Sequence, residues 1–346
     1  MAAELPEPCS ASIAAVEARV ADILRPAGAL ARLDELAVWL AGWQRTATPT
    51  VERPVAVVFA GDHGVAADGV SAYPTEVTGA MLAAFNQDRA SISAMARSVG
   101  AQVRAVDVGV GLPTGNIRHE PAMDQERFDR CFEAGRAAVR ELDTDLLIVG
   151  EMGIGNTTAA AAVCSALLSR PATDMVGSGT GIDPETRLTK VHAVDQAVAR
   201  WASLNDKTHH PENNLALDPM AALRELGGTE LVAMAGAAYQ AREQSCPLLL
   251  DGYVASAALL ALNRLDPELT ANVRAGHCSA EPGHGLVLDA LGLQPLLRLD
   301  FRLGEASGAM AALPLVRMAC ALVNEVPTFT EWFEGDSDSQ SPQPPQ

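Results

Sequence analysis

Residues 146–163 read LLIVGEMGIGNTTAAAAV. An unbroken apolar run ends at a glycine, an acid and two more glycines follow with Asn-Thr-Thr, and an alanine-rich helical stretch comes after. A strand, a glycine turn and a helix opening near Asn156-Thr157 gather unpaired N–H groups at the positive end of a helix, which suits a phosphate. The same residues also fit a tight strand-to-helix turn capped by Asn156 or Thr157. Neither common nucleotide fingerprint is present: no Gly-Lys-Ser/Thr follows, and the glycine spacing is not GxGxxG.

Four other stretches share this form: PVAVVFAGDHG from 54, QVRAVDVGVG from 102, TDMVGSGTGID from 173 and CPLLLDGY from 246. Segments with helical character occupy 75–98, 157–169, 185–203, 229–243 and 254–264. Continuous apolar strands alternating with helices predict a doubly wound, mainly parallel α/β sheet with helices on both faces. Ligands of such sheets collect beyond the carboxyl ends of the strands, where the glycine clusters fall. Before this region, SIAAVEARVADIL and LARLDELAVWLAGWQ carry helical periodicity across a RPAGAL turn, and helix resumes at AMAALPLVRMACALVNEV. The expected organisation is a small helical domain from 1–48 and 309–333, a nucleotide-binding catalytic domain at 49–308, and a disordered tail at 334–346. The polar segment 204–220 reads as an exposed connection.

Composition narrows the partners. Of the 346 residues, 48% are hydrophobic and 4% aromatic, which predicts a core of aliphatics. The formal charge of −18, from 25 basic and 43 acidic side chains, argues against nucleic acid or an anionic membrane and leaves small molecules as partners. A local cradle of amides still accepts a small anion. The six cysteines are scattered without a CxxC pair, as expected for reduced thiols in the cytoplasm. MAAELPEPCSASI lacks the pattern of a secretory signal. At 248–262, Asp251 and the short length favour a buried strand-to-helix passage over a membrane span.

Other clusters are candidates for chemistry. VGSGTGID at 176–183 lets the amides around Ser178, Gly179 and Thr180 approach an anion, with Lys190 as a point charge, or else forms a flexible loop. Asp62-His63 at a strand end fits a metal pair, a general base or a structural hydrogen-bonded pair. His277, Glu281 and His284 in HCSAEPGH would complete a metal site. That segment lacks HExxH and contains Pro282, so buried histidines that tie loops together are the preferred reading. Glu305, between glycines after LRLDFRL, would become a useful base in a low-dielectric cleft, or is a surface acid. No GxSxG nucleophile elbow occurs.

The motifs FAGDHGVAADGVSAYPTEVT, VGEMGIGNTTAAAAV, VGSGTGID, LLLDGYVASAA, AGHCSAEPGHG and RLGEASGA, in this order, resemble the nicotinate-nucleotide–dimethylbenzimidazole phosphoribosyltransferase family. RPAGALARLDELAVWLA is a fainter match, and the resemblance runs from about 12 to about 330. It implies Glu305 as catalytic base and Glu151 as second acid. It implies phosphate contacts at Gly153, Asn156, Thr157, Ser178, Gly179, Thr180 and Lys190, and an acceptor-base pocket at Ser71, Ala72, Tyr73, Ala80 and Leu303. It further implies a homodimer with no metal and no cofactor, acting in assembly of the lower ligand of cobalamin. The chain departs from the family pattern at Ala80, where relatives carry glutamine, and at Asp88-Arg89, where they carry two glycines. Those departures predict a changed loop and a relaxed or altered acceptor, such as another benzimidazole, a purine or a phenolic. The alternatives are a non-catalytic nucleotide-binding paralogue and a metal-dependent hydrolase built on Asp62, His63, His277 and His284.

Overall fold

The computed structural model describes residues 5–177, 179, 181–204 and 218–338. Strands β1 (Pro54–Gly61), β2 (Gln102–Gly109), β3 (Leu146–Met152), β4 (Leu248–Leu250) and β5 (Val273–Ala275) form one sheet in the order β2-β1-β3-β4-β5. Every neighbouring pair is parallel. All eight residues of β1 are buried, as are the first six of β3, so both faces of the central strands are covered. That is why these strands read as unbroken apolar runs.

Helices α1 (Ser10–Asp22) and α2 (Ala31–Gln44) precede the sheet, α3 (Glu76–Asn86) and α4 (Ser91–Ser98) join β1 to β2, and α5 (Gln125–Arg140) joins β2 to β3. Between β3 and β4 lie α6 (Asn156–Leu168), α7 (Ala172–Met175), α8 (Pro184–Leu204), α9 (Pro219–Leu226) and α10 (Thr229–Glu243). α11 (Tyr253–Leu265) joins β4 to β5, and α12 (Pro282–Ala290), α13 (Ser307–Glu325) and α14 (Phe329–Asp338) complete the chain. The chain leaves β1 for β2 on one side and returns to β3 on the other, so the β1/β3 pair is the switch point of the sheet. Phe59 of β1 is in register with Glu151 of β3 there. A crevice opens at such a point beyond the strands' carboxyl ends.

Several segments differ from the sequence expectation. TDMVGSGTGID holds no strand among its described residues: Pro171 opens the short α7, and Val176 N–H returns to the Ala172 carbonyl at 2.9 Å. Its apolar content, Met-Val, is too short to pair. The 75–98 segment is two helices, broken where Asp88 takes the left-handed conformation at φ 55°. The run before Glu305 makes only a one-residue parallel bridge, His277 to Leu297, while the three-residue β5 carries the sheet edge. α14 extends to Asp338, past the expected start of the tail at 334. Thr328 and Glu331 form a reciprocal capping box that starts α14, with N–H to side-chain distances of 2.8 and 3.0 Å. Residues 339–346, and 205–217 of the expected connection, lie outside the described residues.

Contacts divide the chain into two units, the first being Met1–Glu52 with the chain from Leu313 onward, the second Arg53–Ala312. The boundary falls inside α13. In the first unit Arg19 ties helix ends together, donating to the Val323 carbonyl at 2.6 Å and pairing with Glu331 at 2.8 Å. α13 is long and apolar enough to cross a membrane by length and composition, but 56% of its apolar window is buried in the protein, and Pro314 sits within it.

Candidate active site

A cleft of about 630 Å³ in the second unit is lined by residues from the loops that follow β1, β3, β4 and β5 and from the segments around 179 and 303. Of the expected site residues, Glu151, Glu305, Gly153, Asn156, Thr157, Gly179, Lys190, Ser71, Tyr73 and Leu303 all line it. Ser178 and Thr180 lie outside the described residues. Ala72 and Ala80 are exposed and do not line the cleft. On α3 it is Val77 and Met81, one turn apart, that line the cleft, while Ala80 is exposed to solvent.

The loop from β3 into α6 is fixed by close backbone packing. A Cβ on Gly153 would stand 2.5 Å from the Gly61 carbonyl oxygen at the end of β1. Gly155, at φ 95°, turns the chain into the first residue of α6, and Ile154 N–H is held by Thr78 Oγ1 at 3.2 Å. Across from it, Lys190 of α8 donates to Thr157 Oγ1 at 2.7 Å, while Gly179 takes a left-handed turn at φ 52° with its Cβ position 3.8 Å from Lys190 Nζ. Burial lowers the lysine's pKa and the carboxylate of Glu281 opposes that shift. The result is a buried lysine amine between Thr157 and Gly179, placed where an anion would be met.

The acids form a second feature. Glu151, at the carboxyl end of β3, is 8% exposed, and its carboxylate accepts from Asn156 Nδ2. Burial, then the nearby Asp251 and Glu230 carboxyls, push its pKa up to about 8. Gly304 is required beside it, since a Cβ there would sit 2.3 Å from Glu151 Oε1 and the residue has φ 81°. Glu305 N–H then bonds the Glu151 carbonyl at 3.3 Å, and Glu305 and Ala306 both take left-handed backbones at φ 60° and 68°. Non-glycine residues in that region store strain, a feature that clusters at functional positions. Glu305 is 3% exposed, and its Oε2 has no hydrogen-bond partner among the described residues. Burial raises its pKa, against a lowering hydrogen bond from the Ile92 amide at the start of α4. The Asp88 turn therefore delivers a helix start to the base, and Asp88 itself supplies the positive φ that a glycine would adopt readily.

The histidines do not assemble a metal site: among the described residues no group of three His, Cys, Asp or Glu is placed to hold one. His63 bonds Glu230 through Nε2 at 2.6 Å, fully buried. His284 accepts the Ser279 N–H on Nδ1 at 2.8 Å and meets Ser256 Oγ through Nε2 at 3.1 Å, a neutral ring whose pKa burial lowers to about 3. Sequence motifs do not single out Val77, Met81, Tyr253 and Phe301, which also line the cleft, or Asp251 behind it. For Asp251 a signal existed: like Glu151, it is an acid at the carboxyl end of an apolar strand.

A parallel α/β frame with glycine-rich loops, a buried lysine and buried acids at its switch point is the arrangement of a group-transfer enzyme acting on a phosphorylated substrate. The chain belongs to the phosphoribosyltransferase family, whose profile matches residues 5–332. It is 45% identical to nicotinate-nucleotide–dimethylbenzimidazole phosphoribosyltransferase of Bradyrhizobium sp. (strain ORS 278), covering 95% of each chain. It is 43% identical to the protein of that name from Xanthomonas oryzae pv. oryzae (strain PXO99A), over 91% of this chain and 92% of the relative. The crystal structure of CobT from Thermus thermophilus superposes with a TM-score of 0.86 at 40% identity, covering 93% of this chain and 98% of that one.

Proposed function

We propose that the chain transfers the phosphoribosyl group of nicotinate mononucleotide to 5,6-dimethylbenzimidazole or a related aromatic base. The products are nicotinate and an α-ribazole 5′-phosphate-type riboside for the lower ligand of cobalamin. The names of the relatives supply donor and acceptor, and the observation that carries the reading is that both glycine turns, Lys190, Glu151 and Glu305 line one cleft.

The donor phosphate sits against the amides of Gly153 and Thr157 and the glycine at 179, with Lys190 as counter-charge, while the Asn156 N–H is already given to the Gly153 carbonyl at 3.1 Å. Val70, Val77, Met81, Phe301, Tyr73 and Leu303 make an apolar wall for a flat base. Tyr73 and Leu303 are 49% and 47% exposed, an apolar mouth open to solvent. Glu305 takes the proton from one imidazole nitrogen while the other attacks C1′. The C1′–N bond breaks, its electron pair stays on nicotinate, and the pyridinium charge of the donor is cancelled. The attack comes opposite the leaving group, so the β-nucleotide becomes an α-riboside. Positive charge passes from the pyridinium into the ribosyl transition state and leaves as the proton that Glu305 takes up, and the Glu151 carboxylate favours the cationic stage.

On this reading the enzyme works in the cytoplasm with its cysteines free, as a homodimer. Ala80, off the cleft, does not dictate the acceptor; the wall built by Val77, Met81 and Phe301 does. The test is release of free nicotinate from nicotinate mononucleotide with dimethylbenzimidazole, adenine or phenol as acceptor. Fastest turnover with the benzimidazole is expected; tight nucleotide binding with no nicotinate released by any acceptor would leave a non-catalytic binder instead.

A further inference from the structure

Asp251 follows β4 directly and stands behind the cleft, 1% exposed. Its carboxyl raises the pKa of both Glu151 and Glu305, so three acids share one buried region. Like charges disfavour such a cluster. Burial raises the pKa of Asp251 itself, and what opposes that shift is His277, then the backbone amides of Ala309, Gly308 and Gly252. His277 Nε2 lies 3.5 Å from Oδ1, beyond ordinary hydrogen-bond reach, whereas the Ala309 N–H donates to that oxygen at 2.9 Å.

Ala309 is the third residue of α13, and the first turn of a helix leaves its N–H groups without partners inside the helix. A side chain at the cap position usually accepts one of them, but that position is held by Ala306, which has no acceptor. Asp251 supplies the missing cap from β4. The helix it caps starts immediately after the base. Glu305 and Ala306 hold φ 60° and 68°, a conformation that costs non-glycine residues free energy and persists only where the surroundings impose it. Three contacts impose it here. The Glu305 N–H bonds the Glu151 carbonyl at 3.3 Å, and Ala306 lies so close to β3 that a Cβ on Gly150 would fall 2.3 Å from its nitrogen. The third is the Asp251 bond to Ala309, and of the three it alone runs through a side chain.

We propose that Asp251 is the positioning residue of the catalytic base: its carboxylate clasps the start of α13 and holds the turn from which Glu305 reaches the acceptor. This rests on reading Glu305 as the base of the transfer. Asp251 touches no substrate and acts through Glu305. The test is a double-substitution cycle on the full-length protein, comparing wild type, Asp251→Ala, Asp251→Asn, Glu305→Gln and the Asp251→Ala, Glu305→Gln pair. Readouts are kcat for nicotinate release from nicotinate mononucleotide with dimethylbenzimidazole, nucleotide Kd by calorimetry, and hydrogen exchange of the amides at 305–310 by mass spectrometry. Asp251→Ala should lower kcat by on the order of 10–100-fold, because a small misplacement of a reacting group is costly, while Kd stays within about threefold. It should also speed exchange at 305–310 by about tenfold or more. Asp251→Asn keeps an oxygen for the Ala309 N–H and should recover part of both losses. With Glu305→Gln already present, Asp251→Ala should cost almost nothing further, since residues that act as a unit are not additive. An undiminished further loss in that background, a matching loss in Kd, or unchanged exchange would overturn the proposal. If Asp251→Ala does not fold, Asp251→Ser takes its place with the same expectations, its shorter side chain withdrawing the acceptor from the Ala309 amide. A wild type that releases no nicotinate defeats the transferase reading alone, and the exchange comparison still decides whether Asp251 holds the turn.

Discussion

At the scale of single residues, the account turns on carboxyl groups kept away from cations. Among the described residues no basic group pairs with Glu151, and its pKa, pushed up to about 8 by burial, means that it holds a proton in the free enzyme at neutral pH. The folded state thus binds that proton more tightly than the unfolded chain does. Its contribution to stability is full below pH 4.5 and is lost as the pH rises to about 8. Thermal unfolding of Glu151→Gln should therefore show a shallower decline across that range than wild type, by on the order of a few kcal/mol at its alkaline end; parallel curves would contradict the assignment. Binding the pyridinium-bearing donor should expel the proton, so calorimetric heats near neutral pH should vary with buffer ionisation enthalpy in wild type and not in Glu151→Gln. For Glu305, the base must be ionised, so kcat/KM should fall on acidification through a pKa above the ordinary carboxylate value. Glu305→Gln should lower kcat by about 10²–10⁴-fold while nucleotide Kd changes little. Undiminished turnover in that variant would remove Glu305 from the mechanism.

At the scale of elements, much of the site could be read from sequence because each part is a strand end followed by a glycine turn. GEMGIGNTT supplied the loop, the acid and the helix start in one run. The rest is tertiary. Nothing local in VGSGTGID says whether a two-residue apolar run pairs as a strand, and here it does not. Ala80 looked like a pocket residue by resemblance, yet Val77 and Met81 of α3 line the cleft instead and Ala80 is exposed. Asp251 and His277 are meaningful only once β4, β5 and the start of α13 meet. The glycine loop makes its own prediction. The Cβ of Gly153→Ala would meet backbone, not a side chain able to swing away, so the loop must shift. The KM for the nucleotide should rise by about 10-fold or more with a smaller change in kcat, since displaced amides lose phosphate contacts. Unchanged KM would show that those amides do not hold the phosphate.

At the scale of the whole molecule, a chain of net charge −18 must admit an anionic nucleotide. The long-range field opposes encounter while the local amides and Lys190 favour capture. Raising ionic strength from about 0.01 to 0.15 M shortens the screening length from about 30 to 8 Å, which suppresses the first effect more than the second. Stopped-flow association of the nucleotide should accelerate by about 2–5-fold over that interval; slowing would mean that the local positive charge already governs approach. The parallel sheet was readable in its unbroken apolar strands, and the helical ends in their periodicity. The gathering of the loops near 71, 151, 179 and 305 at the strands' carboxyl ends was expected of such a sheet, whereas the part played by the segment near 277 depends on the strand order β2-β1-β3-β4-β5. That convergence has one direct chemical consequence, the configuration at C1′ of the product. Proton NMR of the riboside formed from nicotinate mononucleotide and dimethylbenzimidazole should show the α anomer alone. A β-riboside, or ribose 5-phosphate released to water, would contradict a single displacement between Glu151 and Glu305.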